Sequence, residues 1–341
     1  MSKTAAPSWQ ARVEAAWLRR GPLAWALLPL SGLYATLALS RAWLFRLGLL
    51  RRERLPVPVI VVGNVIAGGA GKTPTTMAIV AHLLARGRRP AIVSRGYGRQ
   101  SDHLALVTPA SDAREVGDEP LLMALRTGVP VAVGADRVAA GRTVLAAHPE
   151  VDVIVCDDGL QHLRLCRDIE VLVFDERGAG NGWWLPAGPL RDSARRRADL
   201  VLYNASAPST PRPGWLAQRA LRGALPLAAW GSGGGTPRPL EAFAGRPVLA
   251  VAGVAHPERF FRMLEAAGLR LERRPLPDHH DYQQGLPWDG WDGDVVLVTE
   301  KDAVKLRSAG DPRIWVVALD FMPDPGFYAA LDSVLSRRLH D

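Results

Sequence analysis

The sequence predicts an α/β protein. A mostly parallel sheet of the P-loop NTPase-like kind is covered by helices, followed by a smaller C-terminal α/β domain and preceded by a membrane-associating helix. Three observations predict this. Apolar, β-branched runs alternate with helical patterns through most of the chain, the signature of strand–helix–strand units. The stretch Gly68-Gly69-Ala70-Gly71-Lys72-Thr73 lies between one such run and a helical pattern. Residues 21–40 carry no charged side chain and are flanked by arginines on both sides.

The N-terminal segment, 1–54, holds the uncharged stretch. Its length approaches that needed to cross a bilayer, but Pro22, Pro29 and Gly32 dilute it. Trp9, Trp17, Trp25, Trp43 and Tyr34 suit the headgroup level. The reading favoured is a helix lying in or partly inserted into a membrane leaflet. A single span and a helix packed on the protein body are the other two. No A-x-A-like cleavage site precedes the body, so a cleaved signal peptide is not expected.

A core domain over 55–204 follows. Strands are expected at 57–62, 91–94, 104–107, 129–133, 151–156, 170–174 and 200–203, and helices at 75–85, 119–126, 136–147 and 190–198. A hinge region over 205–240 is marked by Pro/Ser/Gly-rich stretches at 205–213 and 231–239, the second with Gly233-Gly234-Gly235. A short strand is expected between them at 225–230. The smaller domain, 241–341, reads strand 248–251, helix 257–267, strands 269–273 and 294–298, helix 301–307, strand 314–318 and helix 326–338.

A formal net charge of +8 points to an anionic partner. No basic stripe interleaved with aromatics appears, so nucleic acid is not the expected one. The two cysteines, Cys156 and Cys166, make neither a disulfide framework nor a metal site, which fits a reducing cytoplasm.

The glycine stretch carries the chemistry. Successive backbone amides there can curl around a polyphosphate at a helix N-terminus. Lys72 would reach the outer phosphates and the Thr73 hydroxyl would hold Mg²⁺. The usual first glycine is replaced by Ile66, leaving the compact form GGxGKT. Asp157-Asp158 closes the run 151–156, where a strand-end carboxylate can orient Mg²⁺. Gln161 and His162 follow at once. Asp118 opens a helix, as an N-cap or as a carboxylate near an attacking hydroxyl. Arg95 and Arg99 sit with Tyr97 in a glycine-rich loop that can take an anion. Asp278-His279-His280 offers an imidazole beside a carboxylate, fitting a general base better than a metal pair. Thr299-Glu300-Lys301-Asp302 starts a helix. The long loop 181–192 contains Trp183 and Trp184, and its length suggests a nucleotide or substrate contact.

The ordered set GN(x)₃GGAGKTP, SRGYGR, GDEP, DDGLQH, GNGWWLPAGPLR, DHH and TEKDAVK resembles the tetraacyldisaccharide 4′-kinase family over about residues 15–335. The resemblance implies an enzyme at the cytoplasmic face of the inner membrane of a Gram-negative bacterium. It would transfer the γ-phosphate of ATP to the 4′-hydroxyl of a tetraacyl glucosamine disaccharide 1-phosphate, an anionic glycolipid, in lipid A biosynthesis. No protein partner is implied. By motif, Gly68, Gly69, Ala70, Gly71, Lys72, Thr73 and Pro74 resemble the nucleotide loop. Asp192 stands where the family usually has glutamate at a nucleotide contact. Asp118 and His279 resemble the pair that activates the acceptor. Asp157 and Asp158 resemble the metal and phosphate-region carboxylates, with Thr73 and Asp157 as the metal ligands. Arg95, Tyr97, Arg99, Arg137, Gln161 and His162 resemble substrate-contacting positions. The alternative is a membrane-bound regulatory ATPase of the GGxGKT type. Such switches usually carry a lysine just before the glycines, where this chain has Ala67.

Overall fold

The structure, a computed structural model, describes residues 9–232 and 234–340; residues 1–8 of the N-terminal segment, Gly233 of the expected hinge and Asp341 lie outside the described residues. In chain order the strands are β1 (Val59–Gly63), β2 (Pro90–Ser94), β3 (Ala105–Val107), β4 (Val131–Val133), β5 (Val153–Asp157), β6 (Ile169–Asp175), β7 (Leu200–Asn204), β8 (Trp215–Pro226), β9 (Val248–Ala252), β10 (Leu271–Pro275), β11 (Val295–Thr299) and β12 (Ile314–Pro323). The helices are α1 (Trp9–Ala16), α2 (Pro22–Ala26), α3 (Leu28–Arg46), α4 (Lys72–Ala85), α5 (Ala113–Val116), α6 (Asp118–Thr127), α7 (Arg137–Ala147), α8 (Leu227–Gly231), α9 (Pro257–Ala266), α10 (Glu300–Leu306) and α11 (Pro325–His340).

These elements form two compact units. The first joins Met1–Ile79, Asp152–Gln218 and Pro323–Asp341; the second joins Val80–Val151 and Arg219–Met322. In the first, strands run in the order β8-β7-β6-β1-β5, with parallel ladders throughout. β1 is central: Val61 is paired with Cys156 of β5 on one side and Glu170 of β6 on the other. Every residue of β1, β5 and β7 is buried. That explains their β-branched sequences without polar alternation, because a parallel strand is covered on both faces. Ligand-binding loops in such sheets leave the carboxyl ends of strands, and the glycine loop leaves β1 there.

The N-terminal helices dock on the tryptophan loop of the same unit. The Ser31 hydroxyl donates to the Trp184 carbonyl at 2.8 Å and accepts from the Ala187 amide at 2.9 Å. Trp17 Nε1 donates to the Pro186 carbonyl, and the Trp25 and Trp183 rings meet edge to face. The opposite face is exposed and apolar: Leu30, Leu33, Leu37 and Trp43 are each more than half exposed. No helix among the described residues is long and apolar enough to cross a membrane. The uncharged stretch is divided, with α2 ending before Pro29 in the first turn of α3.

In the second unit β2 pairs parallel with β4, and β3 lies antiparallel on the other side of β4. Strands β10-β9-β11-β12 form a second parallel set over Phe243, Phe261 and Leu264. Caps fix the helix starts that matter here. Asp136 accepts from the Val138 and Ala139 amides below α7. The Thr299 hydroxyl exchanges hydrogen bonds with Asp302 at the start of α10, satisfying an otherwise orphaned amide.

Two expected elements differ. The helix expected at 190–198 is irregular backbone. The Leu190 amide donates to the Trp183 carbonyl and the Arg191 amide to that of Val65, while the Arg196 amide closes only a short turn onto the Ser193 carbonyl. The strand expected at 225–230 is instead the end of the longer β8 followed by α8.

Candidate active site

The glycine loop joins β1 to α4, which begins at Lys72 itself. Gly68 and Gly71 hold φ of 88° and 91°, a region that a side chain at Cβ disfavours. Side chains from three other segments hold the loop's carbonyls. Asn64 Nδ2 donates to the Gly68 carbonyl at 3.3 Å, and Asn204 Nδ2, from the end of β7, donates to that of Ala70 at 2.9 Å. Arg177 donates to the Ala67 and Gly69 carbonyls while its guanidinium is gripped by Asp175 at 2.7 Å. Carbonyls held on one side leave amides for the other, the arrangement that binds a phosphate. Lys72 Nζ lies 3.4 Å from Asn64 Oδ1 and 3.9 Å from Asp158 Oδ2. Pro74 follows in the first turn of α4, half-buried.

Asp157 ends β5 and is 2% exposed. Its Oδ1 accepts from the Thr76 hydroxyl at 3.0 Å. Thr73 lies one helical turn before Thr76, on the same face of α4. Thr73 hydroxyl and Asp157 carboxylate are hard oxygen donors, the chemistry that suits Mg²⁺. Among the described residues no group of three His, Cys, Asp or Glu forms a metal site. Asp158 pairs with Arg191 at 2.8 Å. Arg191 also donates to Asn64 Oδ1, and Gln161 Nε2 to the Asn64 carbonyl at 3.1 Å. Lys72, Asp158, Arg191, Asn64 and Gln161 are therefore one network. Asp192, another predicted residue, turns elsewhere and binds Arg196 at 2.6 Å, and the backbone carbonyl of His162 accepts from Arg167 at 2.9 Å.

In the second unit Asp118 is the first residue of α6, after Gly117 at φ 93°, and is 4% exposed. Its Oδ2 lies 2.9 Å from His279 Nδ1. Its Oδ1 accepts from the Glu119 amide at 2.9 Å. Burial works against the Asp118 carboxylate, but the His279 hydrogen bond and the charges of Lys301 and Lys305 outweigh it and hold its pKa below the usual range. The same hydrogen bond is the main cause that raises His279 above an ordinary imidazole, against burial and against Lys301. The Tyr97 ring lies tilted against the His279 ring, centroids 5.6 Å apart. His280 instead packs edge-on against Tyr282. Asp118 and His279 line a cavity of about 890 Å³, within the usual size of a small-molecule site.

The backbone marks both clusters. Among the described residues the non-glycine positions with positive φ are Asp158 at 48° and His279 at 60°. Such conformations cost ~1–3 kcal/mol each and gather at functional sites.

The predicted arginines of this unit are dispersed. Arg99 donates to the His103 carbonyl at 2.7 Å, buried Arg137 donates to that of Ala135 at 2.8 Å, and Arg95 is exposed. Sequence reasoning assigned no role to Arg177, Asn204, Lys301 or Lys305. Asn64 had a signal, its place one residue past β1 in the GN(x)₃GGAGKTP motif. The others reach the loop carbonyls or Asp118 through contacts distant in sequence.

A glycine cradle between a buried parallel strand and a helix, with lysine, threonine and a strand-end carboxylate around it, defines a P-loop nucleoside-triphosphate-binding protein. Comparison with known proteins narrows the class. Residues 23–336 match the profile of the family LpxK, tetraacyldisaccharide-1-P 4′-kinase. A tetraacyldisaccharide 4′-kinase of Methylibium petroleiphilum is 54% identical over 333 residues, covering 94% of this chain and 92% of the relative. One of Leptothrix cholodnii is 54% identical over 341 residues, covering 97% of each. A crystal structure of the apo form of LpxK from Aquifex aeolicus in complex with ATP superposes with a TM-score of 0.79 at 30% identity, over 93% of this chain and 99% of that one. The chain belongs to the tetraacyldisaccharide-1-P 4′-kinase family. It is an enzyme, a kinase of lipid A biosynthesis, and these likenesses give the regulatory ATPase no support.

Proposed function

We propose that this kinase moves the γ-phosphate of ATP to the 4′-hydroxyl of a tetraacyl glucosamine disaccharide 1-phosphate at the cytoplasmic face of the inner membrane of a Gram-negative bacterium. The observation that carries the residue assignment is the 2.9 Å contact between His279 and buried Asp118. Asp118 accepts Nδ1–H and orients the ring. His279 then takes the acceptor hydroxyl's proton at Nε2 as the oxygen bonds to phosphorus and the bond to ADP breaks. The loop amides and Lys72 hold the polyphosphate, and Arg191 fixes Asp158 beside Lys72. Mg²⁺, held through Thr73 and Asp157, would neutralise charge on the phosphate oxygens.

The test mixes the protein with Mg·ATP and the tetraacyl disaccharide 1-phosphate in detergent. A bisphosphorylated disaccharide is the expected product. ATP hydrolysis that neither needs nor modifies the lipid would overturn the reading.

The exposed face of α2 and α3 supports the membrane assignment, because its apolar residues are bordered by exposed Arg41, Arg46, Arg51 and Arg52, which suit anionic headgroups. Leu33 and Leu37 are 59% and 63% exposed, so Leu33→Glu with Leu37→Glu should leave folding intact. Each leucine buried in lipid contributes ~1.5–3 kcal/mol, so sedimentation with anionic vesicles should weaken at least about tenfold. Undiminished sedimentation would reject the anchor.

A further inference from the structure

The imidazole of His279 is held from both ends. Asp118 takes Nδ1, and on the far side Lys301 Nζ lies 3.3 Å from Nε2. The same ammonium lies 3.2 Å from Glu119 Oε1 and 3.0 Å from Asp278 Oδ1. An ammonium has three donors and no acceptor. Here each donor has one acceptor: an imidazole nitrogen, the carboxylate that follows Asp118 on α6, and the carboxylate before His279 in its own loop. Lys301 must stay protonated to fill this role. Burial works against its charge, but Glu119, Asp118 and Asp278 outweigh burial and hold its proton above the usual lysine range.

From this geometry we propose that Lys301 is a positioning residue that biases His279 toward the neutral Nδ1–H tautomer, with the Nε2 lone pair reserved for the acceptor hydroxyl. The inference rests on His279 acting as the base. Asp118 alone would favour imidazolium, which cannot accept a proton. A cation 3.3 Å from Nε2 opposes that, since a proton at Nε2 would point at a donor. Lys301 thus offsets part of the cost of orienting a base with a carboxylate. When the acceptor hydroxyl arrives it takes the place of the Lys301 N–H at Nε2, while Glu119 and Asp278 keep the ammonium nearby. Asp278 Oδ2, 3.8 Å from Nε2, favours the charged ring and so works against Lys301, and no other group facing the ring replaces the ammonium. Lys305 is 3.9 Å from Asp118 and 3.7 Å from Asp302, Tyr97 lies tilted against the ring, and His280 turns to Tyr282. Asp112, Arg114 and Arg307 line the cavity, with Arg114 on Asp112 and Arg307 on the Pro109 carbonyl.

The experiment is an NMR titration of the full chain labelled in its histidines, in detergent, on wild type, Lys301→Met and Lys301→Arg, beside the pH dependence of kcat. In wild type the nitrogen shifts of the His279 ring should report the Nδ1–H tautomer above its midpoint. Removing a neighbouring opposing charge shifts a pKa by about one unit or more, so Lys301→Met should raise the midpoint by about one unit. On the acid side kcat should then fall about tenfold and return to near wild-type values at alkaline pH, while Lys301→Arg keeps both close to wild type. An Nε2–H tautomer in wild type, or an unmoved midpoint in Lys301→Met, would overturn the proposal. Full activity in His279→Gln would instead remove the base reading and leave the titration result standing.

Discussion

Lys72→Ala should lower kcat/KM for phosphoryl transfer by ~10²–10³-fold, the usual loss when one preorganised charge-stabilising donor is removed. That corresponds to about 3–4 kcal/mol of transition-state stabilisation. The same change should hardly touch the fold. Lys72 makes only a 3.4 Å contact with Asn64 and a 3.9 Å approach to Asp158, and Asp158 keeps Arg191 at 2.8 Å. No carboxylate is stranded, so the stability loss should stay within about 1 kcal/mol, the range of a partly exposed ion pair. Loop shape should also persist, because Asn64, Arg177 and Asn204 hold its carbonyls independently of Lys72. Product formation and thermal melting, measured on one preparation, separate the two effects. Near wild-type turnover would remove Lys72 from the phosphate site. A melting temperature lowered by more than about 8 °C would show that the lysine is structural.

The centre of the first unit's sheet was legible because β1, β5 and β6 are short β-branched runs ending in glycine or acid, and burial on both faces favours the β-branched composition. β8 was not. It reads Trp-Leu-Ala-Gln-Arg-Ala-Leu-Arg-Gly-Ala-Leu-Pro, with two arginines and a central glycine inside a zone rich in proline and serine. Its buried positions are the small ones, Ala217, Gly223 and Ala224, so pairing and neighbours supply what the residue types do not. The region 190–198 failed in the opposite sense. Alanine and arginine favour a helix locally, but the Val65 carbonyl takes the Arg191 amide, and Arg196 is drawn to Glu170 and Asp192. The glycine loop, Asp118 and His279 stood out as residue types in characteristic places. Lys301 did not, because Thr299 and Asp302 already explain that stretch as a capped helix start. Its contact with Glu119 spans 182 positions, which no local pattern records. The tryptophan loop was visible as a long loop, but its contacts with α1 to α3 appear only once Ser31 and Trp17 are seen bonded to it.

Asp118→Asn should have the largest effect in the second unit. The substitution keeps the shape of the side chain and removes its charge. His279 loses the carboxylate that accepts Nδ1–H and selects the tautomer. Comparable losses elsewhere cost ~10³–10⁴ in kcat, so a drop of that order is expected here. Folding should survive. Lys301 keeps Glu119 and Asp278, Lys305 keeps Asp302, and the asparagine oxygen can still accept the Glu119 amide. The residual cost is that of weakening one buried charged hydrogen bond, about 1.5–3 kcal/mol. The pH dependence supplies the sharper test. In wild type Asp118 raises His279 above the ordinary imidazole range, and the base must be neutral to act. Activity should therefore rise with pH through a midpoint above about 6.5. With Asp118 neutralised that cause is lost while the opposing charge of Lys301 remains. The acid limb of the residual activity should move to lower pH, opposite in sign to the shift expected for Lys301→Met. If the limb of Asp118→Asn stays in place, or moves up, His279 does not set it, and the acceptor proton leaves by another route.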